Sequence, residues 1–205
     1  MTDSSLDRHT SQDLGQFWKS WFKDPKLIGA VAPSGRALAK LMSTGLKPGA
    51  RVIELGAGTG TVTEALLETG VRQEDLYLLE RNEAFFDILS RRFPRSPLVA
   101  ADALDLRERF ASELGTFDFV VSGLPLLLFE PAQKAQLFEQ IFAVLGPNGA
   151  YQQFTYGLRC PIDRENRERL GLKRKLLGWA ALNIPPAFVY RFTRAEPRVA
   201  APVPR

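Results

Sequence analysis

The stretch Arg51-Val52-Ile53-Glu54-Leu55-Gly56-Ala57-Gly58-Thr59-Gly60-Thr61 decides the fold. Arg51–Leu55 is a short apolar run that reads as a buried strand, and it ends at a glycine-rich loop. From Thr61 to Thr69 the pattern becomes helical, and Gly70 closes it. Glycines between a strand and a helix allow a tight turn and let a ligand approach the backbone. The helix that follows offers free N–H groups and the positive end of its dipole.

Outward from this loop, strands and helices alternate. Asp75–Glu80 is the next strand, and Asn82 can cap a helix running to about Phe93. Pro97–Ala101 is a third strand and Thr116–Ser122 a fourth. Pro131 suits the first turn of a helix that ends near Leu145, before Gly146-Pro147-Asn148-Gly149. Ala150–Tyr156 is a fifth strand and Phe188–Arg194 a late one. This rhythm predicts an α/β fold, a mostly parallel, doubly wound sheet covered on both faces. Two segments stand outside it as appendages: a pair of helices before the first strand (about Ser11–Asp24 and from near Ser34), and a basic, aromatic insertion at 157–186. The expected organisation is an N-terminal segment, 1–30, one Rossmann-like domain, 31–195, and a mobile Pro- and Arg-rich tail, 196–205.

The spacing of the glycines narrows the ligand. A dinucleotide G-x-G-x-x-G would need glycine at Thr61. An acid followed by G-x-G-x-G, here Glu54, Gly56, Gly58 and Gly60, is instead similar to the S-adenosylmethionine (AdoMet) loop of Rossmann-like, class I methyltransferases. Glu80 ends the second strand and can accept both ribose hydroxyls. Asp102, followed by Ala103, lies just past the third strand, where such enzymes hold the adenine amino group. Glu54 is placed to orient the loop and to face the cofactor's ammonium.

The fourth strand ends in Ser122-Gly123-Leu124-Pro125-Leu126-Leu127. Amino methyltransferases place an Asn/Asp-Pro-Pro-Tyr type tetrapeptide here, and in this chain Ser122 stands where Asn or Asp would. No aromatic residue follows on which a base could stack, which favours an aliphatic amine. Tyr156, after the fifth strand, can face the methyl-transfer site, with a satisfied core tyrosine as the other reading. Ser122, Leu124, Pro125 and Tyr156 are therefore the candidate acceptor residues.

With these segments the chain resembles bacterial phospholipid N-methyltransferases, the soluble type that converts phosphatidylethanolamine to phosphatidylcholine. The resemblance rests on Gly29-Ala30-Val31-Ala32-Pro33-Ser34-Gly35-Arg36-Ala37-Leu38-Ala39, on the Val52–Gly60 loop, on Ser122–Leu127 and on Gln153-Phe154-Thr155-Tyr156-Gly157. It covers roughly Phe17 to Arg194. The wider group is related to rRNA adenine dimethylases, whose Asn-Leu-Pro-Tyr this chain lacks. The resemblance implies AdoMet as methyl donor, successive methylations of a lipid amine, and a cytoplasmic enzyme bound to the membrane surface through an N-terminal amphipathic helix. Arg36, Arg159 or the Lys173-Arg174-Lys175 run could hold the lipid phosphate. The alternatives are an RNA adenine or small-molecule amine methyltransferase, or a membrane-bound AdoMet sensor without activity.

Composition sets the outer limits. The 205 residues are 45% hydrophobic and 24% charged, as in an ordinary globular protein, and they suffice for one domain. One cysteine, Cys160, and one histidine, His9, argue against a metal site and leave no histidine base in the core. The start MTDSSLDRH does not read as a signal peptide, and no apolar run reaches the ~20 residues of a membrane span. From Arg159 to Arg205 there are 11 Lys/Arg and 4 Asp/Glu, a balance of +7, so the rest of the +4 chain carries 4 − 7 = −3. A basic end suits an anionic surface. In the predicted 11–24 helix, Leu14, Phe17, Trp18, Trp21 and Phe22 fall within an arc of about 140°, with Lys19 and Lys23 opposite. Phe17, Trp18, Lys19, Trp21, Phe22 and Lys23 are the expected membrane-binding residues. Such a solvent-facing stripe favours lipid over nucleic acid as the partner.

Overall fold

A computed structural model of the chain describes residues 33–156, 159–180 and 186–195. The amphipathic helix at 11–24, Gly157 and the tail from 196 lie outside the described residues.

The described chain builds a seven-stranded sheet flanked by helices. The strands are β1 (Val52–Leu55), β2 (Leu76–Leu79), β3 (Leu98–Val99), β4 (Phe117–Ser122), β5 (Leu145–Tyr156), β6 (Leu172–Ala180) and β7 (Ala187–Arg194). The helices are α1 (Pro33–Met42), α2 (Thr61–Leu67), α3 (Glu83–Arg92), α4 (Leu106–Arg109), α5 (Pro131–Val144) and α6 (Arg164–Arg169). The sheet order is β3-β2-β1-β4-β5-β7-β6. β1 to β5 pair in parallel, and β7 runs antiparallel to both β5 and β6. The order reverses between β1 and β4, and a doubly wound sheet opens its ligand crevice at such a point, beyond the carboxyl ends of the strands.

Local signals act as expected. Asn82 caps α3 by accepting the Ala84 N–H at 2.9 Å. Pro131 occupies the first turn of α5, and the Gln133 side chain accepts the Glu130 N–H at 2.9 Å. Two apolar clusters form, one on each face of the sheet. One contains Ile53, Phe117, Phe138, Tyr151 and Phe192, and the other Leu38, Met42, Leu66, Val121 and Val189.

Three expectations change. Helix α1 is not an appendage, because Leu38 and Met42 are core residues. The insertion at 157–186 contains a strand of the main sheet, β6, which alternation does not reveal. Lys173, Arg174 and Lys175 all lie exposed on the sheet edge, and the register slips between Leu176 and Gly178. Gly146-Pro147-Asn148-Gly149 is not a loop before β5 but an irregularity inside it: Leu145 pairs with Phe117 and Ala150 with Phe119.

Candidate active site

The loop between β1 and α2 is fixed largely by backbone. The Gly56 N–H donates to the Leu79 carbonyl at 2.8 Å, and the Gly60 N–H to that of Ala57 at 2.9 Å. Gly58 and Gly60 lie in the left-handed region, at φ 57° and 87°. A Cβ on Gly60 would stand 2.4 Å from Phe93 Cε2, whereas one on Gly58 would meet nothing within 4 Å. Gly60 is therefore required by the protein's own packing. Gly58 keeps open the space in front of the loop.

Beneath the loop, Glu54 is buried. The Thr63 hydroxyl donates to its Oε2 at 2.7 Å. Burial, with the nearby Glu80 charge adding to it, pushes the Glu54 carboxyl up to about 8, so it is neutral at pH 7. Its place is behind the loop, bracing α2 against β1.

Glu80 sits at the tip of β2, with both oxygens facing backbone donors. Oε1 accepts the N–H groups of Arg81 and Asn82, each at 2.8 Å, and Oε2 accepts that of Gly58 at 3.0 Å. A carboxylate has about four lone-pair directions, so one on Oε2 is left for a ligand hydroxyl. Glu80 thus ties the glycine loop to the end of β2 while presenting an acceptor in front of it.

Asp102 follows β3. Its Oδ1 accepts the Leu104 N–H at 3.0 Å, and its Oδ2 pairs with Arg81 Nη1 at 3.0 Å. A cavity of about 570 Å³ opens between these groups. Gly56, Glu80, Arg81 and Asn82 form one wall, and Asp102, Ala103 and Leu104 another. Leu124, Pro125, Leu128, Phe129 and Gln133 close it from the β4 side. Beyond Arg81 and Asp102 it meets a second hollow of about 440 Å³, which these two residues also line.

The loop after β4 is held from below by side chains. Ser122 is fully buried, and its Oγ accepts the Leu124 N–H at 3.2 Å. Tyr151, whose ionisation burial opposes strongly, donates to Gln153 Oε1 at 2.6 Å. Gln153 Nε2 donates to the Leu124 carbonyl at 3.0 Å and to that of Phe154 at 2.8 Å. Leu124 is thereby gripped at both its N–H and its carbonyl.

Of the residues singled out in the sequence, Gly56, Glu80, Asp102, Ala103, Leu124 and Pro125 meet around one cavity. Ser122 is corrected: with no exposed surface it positions Leu124 rather than receiving an amine. Leu126 turns into the core, and Leu128 lines the cavity. Tyr156 is half-buried, edge-on to Phe154 at 5.5 Å, and packs with the cluster of Leu38 and Met42; it does not line this cavity. Arg36 and Arg159 are exposed. The supports Tyr151 and Gln153 and the lining residues Arg81, Leu128 and Gln133 were not assigned from sequence. Gln153 stood in a segment that carried the resemblance, but its contacts come from a strand pairing that spacing does not reveal.

Comparison with known proteins agrees with this geometry. A family model described as a methyltransferase domain matches residues 52–149. An ornithine lipid N-methyltransferase from Singulisphaera acidiphila is 30% identical over 185 residues, covering 87% of this chain and 95% of that one. The Burkholderia thailandensis 1,6-didemethyltoxoflavin N1-methyltransferase, solved with S-adenosylhomocysteine, superposes with a TM-score of 0.67 at 16% identity, covering 96% of this chain and 92% of that one. The magnesium protoporphyrin IX methyltransferase of Synechocystis, solved with AdoMet, gives 0.64 at 13% identity, covering 95% and 100%. Fold and site thus define a class I, Rossmann-like methyltransferase that uses AdoMet. Within that class, the chain belongs to the bacterial lipid N-methyltransferases.

The residues fit this cofactor. The open space before Gly58 would admit its approach to the backbone, Glu80 would offer its remaining lone pair to a ribose hydroxyl, and Asp102, on the same cavity, would be the acid for the adenine amino group.

Proposed function

We propose that the protein methylates the amine of phosphatidylethanolamine, and of its mono- and dimethyl derivatives, toward phosphatidylcholine at an anionic membrane surface. AdoMet supplies an electrophilic methyl group on a sulfonium. The observation that carries the reading is the apolar wall of the cavity, Leu124, Pro125, Leu128 and Phe129, facing the carboxylates of Glu80 and Asp102. Methyl transfer needs an amine lone pair aligned with the methyl–sulfur bond, which is chiefly a matter of positioning. A lysine-like ammonium costs about 4–5 kcal/mol to neutralise at pH 7. An apolar wall lowers that cost by desolvating the cation. The Leu124–Pro125 loop, held rigid by Ser122 and Gln153, places the wall. Arg36 and Arg159 are the proposed phosphate contacts, and the 11–24 helix the proposed anchor.

A second acceptor, ornithine lipid, is favoured by the S. acidiphila relative. The test is incubation with labelled AdoMet and detergent micelles containing either lipid, with total RNA in parallel, followed by separation of the products. Label in mono-, di- and trimethylated phosphatidylethanolamine supports the first reading. Label confined to ornithine lipid replaces it with the second, and label in RNA overturns both.

A further inference from the structure

The edge strand β6 carries a surface that methyl transfer does not use. Trp179 is 57% exposed and Leu176 48% exposed, whereas among the described residues most other large apolar side chains are covered. Trp179 stacks on Phe188 of β7, with centroids 6.3 Å apart and planes at 18°. Lys173, Arg174 and Lys175 stand exposed on the same strand, and none pairs with a carboxylate among the described residues. Strands β6 and β7 together hold Lys173, Arg174, Lys175, Arg191 and Arg194 and no acid.

The position is specific. Trp179 pairs with Phe188, and Phe188 with Thr155, two residues past the Gln153 that pairs with Ser122. The aromatic end of β6 therefore lies at the carboxyl end of the parallel strands, where the cavity opens. Phe188 also packs on the cluster that Leu124 and Phe129 touch, so the stack lies on their face of the sheet.

An open edge can pair with another strand, but this one is built against that. Three adjacent cations and the irregularity between Leu176 and Gly178 are devices that block strand addition. A second copy would also bring two basic edges together. Tryptophan beside lysine and arginine is instead the composition of an interfacial contact, rings at the headgroup level and cations on lipid phosphates.

We infer that β6 is a second, rigid membrane-docking edge, with Trp179 and Leu176 entering the headgroup layer of an anionic bilayer and Lys173, Arg174 and Lys175 binding its phosphates. This rests on the lipid-methylating reading above, and it is separate from the N-terminal helix. The chain's tryptophans are Trp18, Trp21 and Trp179, so Trp18→Phe with Trp21→Phe leaves Trp179 as sole reporter in the full-length protein. With vesicles of phosphatidylethanolamine and phosphatidylglycerol, its emission should shift to the blue and be quenched by brominated acyl chains. Replacing phosphatidylglycerol by phosphatidylcholine should remove the shift. Combining Lys173→Gln, Arg174→Gln and Lys175→Gln should cut partitioning about fivefold per charge, roughly a hundredfold in all at low salt. Binding of S-adenosylhomocysteine should stay unchanged, which shows the variant folded. Unaltered Trp179 emission overturns the inference, whether or not the protein binds the vesicles. So does a blue shift that follows protein concentration without lipid, the sign of self-association. Methylation of lipid in detergent micelles with silent Trp179 emission would leave the function standing and the docking edge refuted.

Discussion

The loop after β1 and the loop after β4 lie side by side at the carboxyl edge of the sheet, where the Gly123 N–H donates to the Leu55 carbonyl at 2.8 Å. They are held in opposite ways. The first is set by local backbone, by glycines at positive φ and by Glu80, which gathers three N–H groups. The second is set by side chains: Ser122 holds the Leu124 N–H, and Gln153, itself held by Tyr151, reaches the Leu124 carbonyl only once β4 and β5 have paired. A cofactor common to many enzymes is met by a local, repeatable device. The acceptor is met by a wall whose placement belongs to this fold's core.

The largest effect should come from Gly58→Val. At φ 57° a β-branched residue is strained by about 1–3 kcal/mol, a moderate loss for the fold. Its side chain would nevertheless fill the space that the cofactor needs. Calorimetry should find no binding of S-adenosylhomocysteine to a variant that still unfolds cooperatively. Wild-type affinity would mean that the cofactor approaches elsewhere, and that the first loop is merely a turn.

Behind the same loop, Glu54→Gln should separate bracing from binding. The folded carboxyl ionises near 8 against an ordinary value of 4.5. The folded state therefore holds its proton more tightly than the unfolded state. This contribution is fully present below about 4.5, is lost as pH rises towards 8, and is level above that. The span corresponds to roughly 4–5 kcal/mol. Glutamine keeps the acceptor for Thr63 and cannot ionise, so its stability should stay flat over the window. Urea midpoints for both proteins at pH 5, 7 and 8.5 provide the check, and parallel curves would mean that Glu54 is solvated in the folded protein.

At the second loop, Gln153→Met keeps volume but releases the Leu124 carbonyl and the Tyr151 hydroxyl. Leaving such groups unpaired costs roughly 2–3 kcal/mol in stability. Because the grip on Leu124 is halved, turnover on lipid amine should fall about tenfold, the order expected of misplaced reacting groups. Affinity for S-adenosylhomocysteine should hold within twofold. If affinity falls in step with turnover, the two loops are one unit and the contrast between them is lost.

The same contrast sets what was legible in the sequence. Gly56, Glu80 and Asp102 could be placed because strand, turn and helix each leave a local signature, and their spacing survives folding unchanged. Lys173, Arg174 and Lys175 hid β6 because an exposed antiparallel edge has no apolar alternation to read. Ser122 was located correctly at the end of β4 but given the wrong task, since sequence does not show that Tyr151 and Gln153 enclose it. Leu124 and Pro125 are legible as site residues from their place after β4, whereas a single 3-10 turn, Leu126–Leu128, decides which of the following leucines faces the core and which the cavity, and spacing does not show it.

The smallest effect should come from Arg81→Ala, at the far end of the cofactor side. Arg81 is 81% exposed in its side chain, and its ion pair with Asp102 is open to water. Such a pair is worth about 0–1 kcal/mol, so unfolding should scarcely register its loss. If Asp102 takes the adenine amino group, Arg81 competes with it for Oδ2, the oxygen that the guanidinium occupies. Releasing it should raise affinity for S-adenosylhomocysteine by two- to fivefold, the binding equivalent of an exposed ion pair. Salt should act in the same direction on the wild type, because screening weakens the pair that the ligand must displace. Between 50 and 500 mM salt the wild-type affinity should therefore rise by a few-fold, while that of the variant stays level. An affinity that falls in the variant would assign Arg81 the opposite task, covering the adenine once it is bound, and would extend the locally built cofactor site one residue past Glu80.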